Sequence, residues 1–293
     1  MKRKFWHISI PLVLILLIIL AGFTIKNKNN NSTFAEIVGG VEKFSGLNKW
    51  EPSGTLVYKN GEKIYYYSLD SGQEENYPLT SQTISNSISD SGTLLLGQPE
   101  DKWNKGKNIE DISSLNLSKD AIPAISPDGE KVAYLSFSNA EKDYGYNIYT
   151  SGKNGTKSIF HSEDQIQFLC WCDNDTVLFV LKQQSNQITS LNIGSSAQTT
   201  IASVDENITS LAARGDVVVA TIDKSKKNLI VINRNNKKKS IKNIDANYNN
   251  TSISPDEKAV AYLNSDSKIS IYNLSDGNKK QLSKADKIIG WYK

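Results

Sequence analysis

Two cysteines, two histidines, seven prolines and one methionine are all that 293 residues supply of these types. Cys170 and Cys172 flank Trp171. A small secreted fold stapled by disulfides needs more cysteine than that, so this fold has to stand on packing. On a strand, positions i and i+2 point to one face, and bridging the two thiols would strain both the strand and the S–S geometry. A zinc centre needs about four ligands, and His161 is the one other donor nearby in sequence. The expected role of Cys170-Trp171-Cys172 is therefore two packed thiols around a core tryptophan. Of the histidines, His7 abuts a hydrophobic run, which leaves His161 as the one candidate base. There is no Gly-x-Ser-x-Gly stretch, and serine-protease chemistry is not expected. An excess of charge is missing too. Lys and Arg total 34 and Asp and Glu total 31. The surplus of three equals Lys2, Arg3 and Lys4, so the remainder is balanced and no nucleic-acid partner is expected. Sustained 3.6-residue apolar periodicity is absent after residue 40, which argues against helices there.

One long apolar run is present, Ile8 to Ile25. Eighteen helical residues span about 27 Å, close to one hydrocarbon core. The basic cluster before it predicts a cytoplasmic N-terminus. The expected organisation is a short basic tail (1–7), a transmembrane anchor (8–25), a polar linker with a possible closing strand (26–43) and an extracellular domain (44–293). A cleaved signal peptide, giving a secreted form, is the competing reading. Leu20-Ala21-Gly22 resembles the start of a lipobox, but Phe23 stands where lipid attachment needs cysteine. The abundance of Lys, Asn, Ser and Ile fits a low-GC bacterium.

The rest of the chain repeats. Ile125-Ser-Pro-Asp-Gly-Glu-Lys-Val-Ala-Tyr-Leu135 and Ile253-Ser-Pro-Asp-Glu-Lys-Ala-Val-Ala-Tyr-Leu263 are near copies. Weaker copies begin at Trp50, Ile88, Trp171 and Leu211, with a truncated start at Ile288-Ile-Gly-Trp291. Markers at residues 50, 88, 125, 171, 211, 253 and 291 are spaced about 40 residues apart, the period of a four-stranded propeller blade. In each unit an apolar residue ends one strand, a Ser/Pro/Asp/Gly turn follows, and a run apolar on both faces comes next. The fold class expected is all-β: a β-propeller of six four-stranded blades preceded by one N-terminal transmembrane helix. A seventh blade is the alternative count, if Trp291 and residues 34–47 build a shared closing blade. The aspartates of the turns, Asp128 and Asp256, are expected to shape them, and the same holds for Asp173-Asn174-Asp175.

The Ile-Ser-Pro-Asp-Gly…Val-Ala-Tyr pattern resembles the TolB-like, WD40-like (PD40) β-propeller repeat family over residues 44–293. The resemblance implies the fold. It says little about function, because such repeats occur in periplasmic scaffolds, in the propeller domains of prolyl peptidases and in surface proteins of other kinds.

Propellers bind at a face or in the central funnel, where loops vary. The longest insertions between second and third strands are Gln98 to Asn108 and Ser138 to Asn147, in neighbouring units on one face. Trp103, Tyr144 and Tyr146, with Asp101 and Lys102, are the candidate partner-binding residues, since aromatics on loops serve as anchors. A second candidate, for polyanions, is the basic stretch Lys224, Lys226, Lys227, Arg234, Lys237, Lys238 and Lys239. Its two halves fall in loops at opposite ends of a blade, and a solvated surface is the bland alternative. No cofactor, metal or catalytic residue is expected. The leading function is a membrane-anchored binding or scaffold module for a protein or cell-envelope polymer. The alternatives are a metal-dependent propeller enzyme of the lactonase, lyase or cyclase type, for which carboxylate, Asn or His groups should converge in the funnel, and a sensory ectodomain with a membrane partner.

Overall fold

A strand that is apolar on both alternating sides is stable only when layers cover both of its faces. The computed structural model supplies those layers. It describes residues 52–79, 87–96, 109–111, 123–222, 228–244 and 246–293, all within the unit Glu51–Lys293. Everything before residue 52, including the apolar segment 8–25, lies outside the described residues. Among those described there is no helix, and so none long and apolar enough to cross a membrane.

The first strands, β1 (Thr55–Asn60), β2 (Lys63–Ser68) and β3 (Glu74–Pro78), form a meander. β4 (Leu94–Leu96) and β5 (Ile109–Asp111) form a parallel pair. Three up-and-down antiparallel sheets then follow one another. They are β6 (Ala124–Ile125), β7 (Lys131–Ser138), β8 (Gly145–Gly152) and β9 (Gly155–Ser162); β10 (Ile166–Asp173), β11 (Thr176–Leu181), β12 (Gln187–Asn192) and β13 (Gln198–Ser203); and β14 (Ile208–Arg214), β15 (Val217–Ile222), β16 (Asn228–Asn233) and β17 (Lys239–Asn243). A fourth has β18 (Ala246–Ile253), β19 (Ala259–Asn264), β20 (Lys268–Asn273) and β21 (Lys279–Lys284). The last strand, β22 (Lys287–Tyr292), pairs with β1 and gives a fifth, ordered β22-β1-β2-β3. The chain is an all-β propeller with five four-stranded blades among the described residues. Among its described residues the second repeat unit contributes the parallel β4–β5 pair.

Alternate residues of one strand feed two different apolar layers. Val177 and Phe179 of β11 pack toward Ala133 and Ile148 of the preceding sheet. Leu178 and Val180 pack toward Val218 and Ala220 of the following one. The innermost strands stand side by side, β10 against β14, β14 against β18 and β18 against β22. The segment 87–96 touches sheets on both sides. Ser87 Oγ accepts from the Ile125 N–H at 2.8 Å and donates to the Ile125 carbonyl at 3.1 Å. The Asp90 N–H donates to the Pro127 carbonyl at 2.7 Å. On its other side Ile88 covers Gly290, where any Cβ would overlap the isoleucine side chain.

The turn motif owes its repetition to a closed local network. Ser126 Oγ donates to Asp128 Oδ1 at 2.5 Å and accepts from the Lys131 N–H at 2.9 Å. Asp128 Oδ1 also accepts from the Glu130 N–H at 3.0 Å. Ser254 and Asp256 repeat these bonds, with Lys258 and Ala259 as donors, at 2.6, 3.2 and 2.9 Å. In the second unit Ser89 Oγ accepts from the Thr93 N–H at 2.9 Å. The aspartates thus shape turns, as expected. The residue after Asp needs a positive φ: Gly129 takes +77°, and Glu257 adopts +60° in its copy.

Repeat spacing assigns the inner strand of the first unit to the segment ending at Trp50. In the structure β22 fills that inner position beside β1. Pairing late chain with early chain covers sheet edges that an open array would expose. Trp50, and residues 34–47, the strands that a seventh blade would need beside Trp291, lie outside the described residues.

Candidate binding surface

In up-and-down sheets the β7–β8, β11–β12 and β19–β20 hairpins emerge at one face of the ring, and the Ser-Pro-Asp turns emerge at the other. β7 and β8 are eight residues each, against six for β11 and β12. The extra length carries Phe137 and Ser138 beyond the covered part of the sheet. Phe137 lies directly across from Tyr146, and Ser138 from Gly145.

Three rings gather there. Phe137 and Tyr144 meet edge to face at 5.5 Å between centroids. Phe137 and Tyr146 are tilted at 4.8 Å. Phe137 is 44% exposed and Tyr144 57%, both on the short roll of exposed large apolar side chains among the described residues. Gly145 makes the arrangement possible. Its φ is +141°, and a Cβ there would come within 2.5 Å of the Ser162 carbonyl oxygen, so only glycine lets β8 lie this close to β9. A polar group borders the rings. His161 Nδ1 lies 3.2 Å from Asn147 Oδ1 and 3.6 Å from Asp143 Oδ1. Asn147, the cross-strand partner of His161, is buried.

Of the residues expected to bind a partner, Tyr144 and Tyr146 come together, joined through Phe137. Trp103, Asp101 and Lys102 lie outside the described residues. Phe137, Asp143 and His161 were not legible as a site, because the apolar run of β7 reads as ending at Leu135 and the register that sets Phe137 against Tyr146 is not a local signal.

The basic stretch divides. Lys224, Lys226 and Lys227 lie outside the described residues. Arg234 is drawn into a tie between sheets: Nη1 donates to Asp173 Oδ2 at 2.8 Å and to Cys172 Sγ at 2.9 Å. Lys239 Nζ donates to the Ser203 carbonyl. Lys237 and Lys238 are exposed on the β16–β17 turn, Lys237 at a φ of +54°.

Along the axis runs a cavity of about 100 Å³. Its lining mixes the apolar Ile88, Ile125, Leu211, Ile253 and Ile289 with the polar Ser87, Arg214, Thr251 and Ser252. Its described lining holds one carboxylate, Asp90, which pairs with Arg214. Arg214 also donates through Nη1 to the Trp291 carbonyl at 2.7 Å. Burial pulls the Arg214 guanidinium below the usual arginine range, opposed by Asp90. The carboxylate, Asn and His cluster that an enzymatic funnel would need is not present among these lining residues, and no three His, Cys, Asp or Glu side chains group as metal donors among the described residues. Both cysteines are free. Burial pushes the Cys172 thiol up to about 11, against the pull of Arg234.

No family model matches the chain, and no curated protein matches it in sequence. Among solved structures it is similar to TolB from Acinetobacter baumannii, at 16% identity over 86% of this chain and 57% of that one, with a TM-score of 0.44. It is similar to an oligogalacturonate lyase in complex with manganese, at 11% identity over 82% and 65%, TM-score 0.46. A puromycin-hydrolyzing peptidase of Mycobacterium tuberculosis is similar at 10% over 79% and 44%, TM-score 0.49. The chain thus spans less than two thirds of the length of each of these proteins.

Proposed function

We propose that this chain is a membrane-anchored, extracytoplasmic propeller of six units that acts as a non-catalytic binding module for a protein or cell-envelope ligand. The observation that carries the reading is the cluster of Phe137, Tyr144 and Tyr146, with two rings open to solvent on an extended hairpin. Exposed aromatics gathered at one loop end mark interaction surfaces, and such residues dominate binding energies where interfaces form. The axial cavity supports the same reading. Its one described carboxylate, Asp90, is held by Arg214. The count of six rests on the segment 87–96 lying between the sheets of Ile125 and Gly290. The anchor rests on the apolar run 8–25 and its basic flank.

The test is capture from envelope extract and from purified wall polymer by the full chain in detergent. A Phe137→Ala/Tyr144→Ala variant should retain its fold, because neither side chain belongs to the buried apolar layers. Its capture should fall by about 30-fold or more, the effect of losing hot-spot aromatics. Undiminished capture by the folded variant would move the site away from this hairpin.

A further inference from the structure

The loops that carry the aromatic cluster are acidic. The β7–β8 connection holds Glu141, Lys142 and Asp143, and the β9–β10 connection holds Glu163 and Asp164. These two loops carry four carboxylates and one lysine on the same face; the Gln183 N–H of the neighbouring β11–β12 hairpin holds Asp164 Oδ2 at 2.8 Å and brings Lys182 beside it. Glu141, Asp143 and Glu163 are exposed. The chain downstream of the N-terminal lysines and arginine is otherwise balanced in charge, so this is a local departure. A phosphate-rich polymer meets repulsion here. A cation meets both the negative ring faces of the aromatics and the field of the carboxylates.

We propose that the Phe137–Tyr144–Tyr146 cluster recognises a methylated, quaternary ammonium group. The inference rests on the binding-module reading above and names the chemistry of its ligand. Two features select this cation over a primary amine. Phe137 and Tyr144 meet edge to face, at 82°, and both keep exposed ring surface, so a cation seated against one ring also lies beside the other at a corner. A methylated ammonium fills such a corner with its apolar shell and sheds weakly held water, and aromatic clusters are a recurrent means of binding it. A primary ammonium instead needs hydrogen bonds to replace its tightly held water. The carboxylate that the structure places at the cluster, Asp143, lies beside the His161 imidazole, at 3.6 Å. The remaining acids act at longer range, which makes the attraction sensitive to salt.

The test uses the full chain in a non-ionic, choline-free detergent and titrates three probes by ligand-observed NMR. The probes are choline, its neutral carbon isostere 3,3-dimethylbutan-1-ol, and N-acetyl-lysine methylamide. Choline should saturate and bind about threefold or more tightly than the isostere, the margin expected of a cation–π contribution at exposed rings. Phe137→Ala/Tyr144→Ala should abolish saturation. Glu141→Gln/Asp143→Asn should weaken choline several-fold and flatten its salt dependence. Equal binding of choline and isostere, choline binding that survives the aromatic double variant, or tighter binding of the lysine probe would each overturn the proposal. Capture of an envelope partner by the hairpin without any choline binding would sink the ammonium assignment and leave the binding-module reading standing.

Discussion

Replacing Trp291 with alanine is expected to destabilise the propeller by about 3–5 kcal/mol, the range for emptying a buried tryptophan site. Trp291 is 1% exposed and the largest fully buried side chain among the described residues. It pairs with Leu56 across the β22–β1 ladder. Its indole N–H donates to the Ser53 carbonyl at 2.9 Å, a bond spanning 238 positions of sequence. Its own carbonyl accepts from Arg214. The substitution leaves a void, a carbonyl short of its donor and a weakened junction between the last strand and the first. Because every neighbouring blade is packed on the next, loosening this junction should lower the urea midpoint of the whole described domain. A variant that loses less than about 1 kcal/mol would mean that β22 contributes little to ring closure.

Gly54→Ala probes the same junction by overlap where Trp291→Ala probes it by a void, and a loss of about 3 kcal/mol is expected. Gly54 has a φ of +91°, where an L side chain is strained. An added Cβ would also press into the backbone carbonyl oxygen of Tyr292, with the Trp291 indole nitrogen at 3.2 Å. A carbonyl in a strand ladder cannot rotate away as a side-chain tip can, so relief requires β22 to move. Gly61 is the internal control. Its φ is +60°, yet nothing lies within 4 Å of a Cβ there. Gly61→Ala should therefore cost only the conformational strain, about 1 kcal/mol. Equal losses at the two glycines, measured by equilibrium unfolding, would contradict a tight junction at Gly54.

The repeats were legible because each turn is a local device. Ser126 with Asp128 and Ser254 with Asp256 satisfy the backbone within five residues, so the same letters recur wherever the same turn is built. The units starting at Trp171 and Leu211 read as degenerate because they reach their turns differently. In the first, Asp173 Oδ1 accepts from the Asp175 N–H at 2.9 Å. In the second, Gly215 supplies a φ of +53°. What stayed hidden depends on distance in sequence. The pairing of β22 with β1 brings residue 292 beside residue 55, and the Arg214–Asp90 pair links positions 124 apart. The parallel β4–β5 pair has no local signature either. At the candidate site the two tyrosines stood out as loop aromatics, while Phe137 was masked as the tail of a strand and acquired its role through the register with Tyr146. Arg234 shows what reading by composition leaves out. It counts as one of a basic run, but its guanidinium serves Asp173 and Cys172.

Hydrogen exchange on the full chain, with and without the envelope ligand it captures, tests the account most directly. Protection is predicted over 137–147 and 158–164, the strand ends and loops around Phe137, Tyr144 and His161. Protection confined to the opposite face, at 126–130, 214–216 and 255–257, would contradict it.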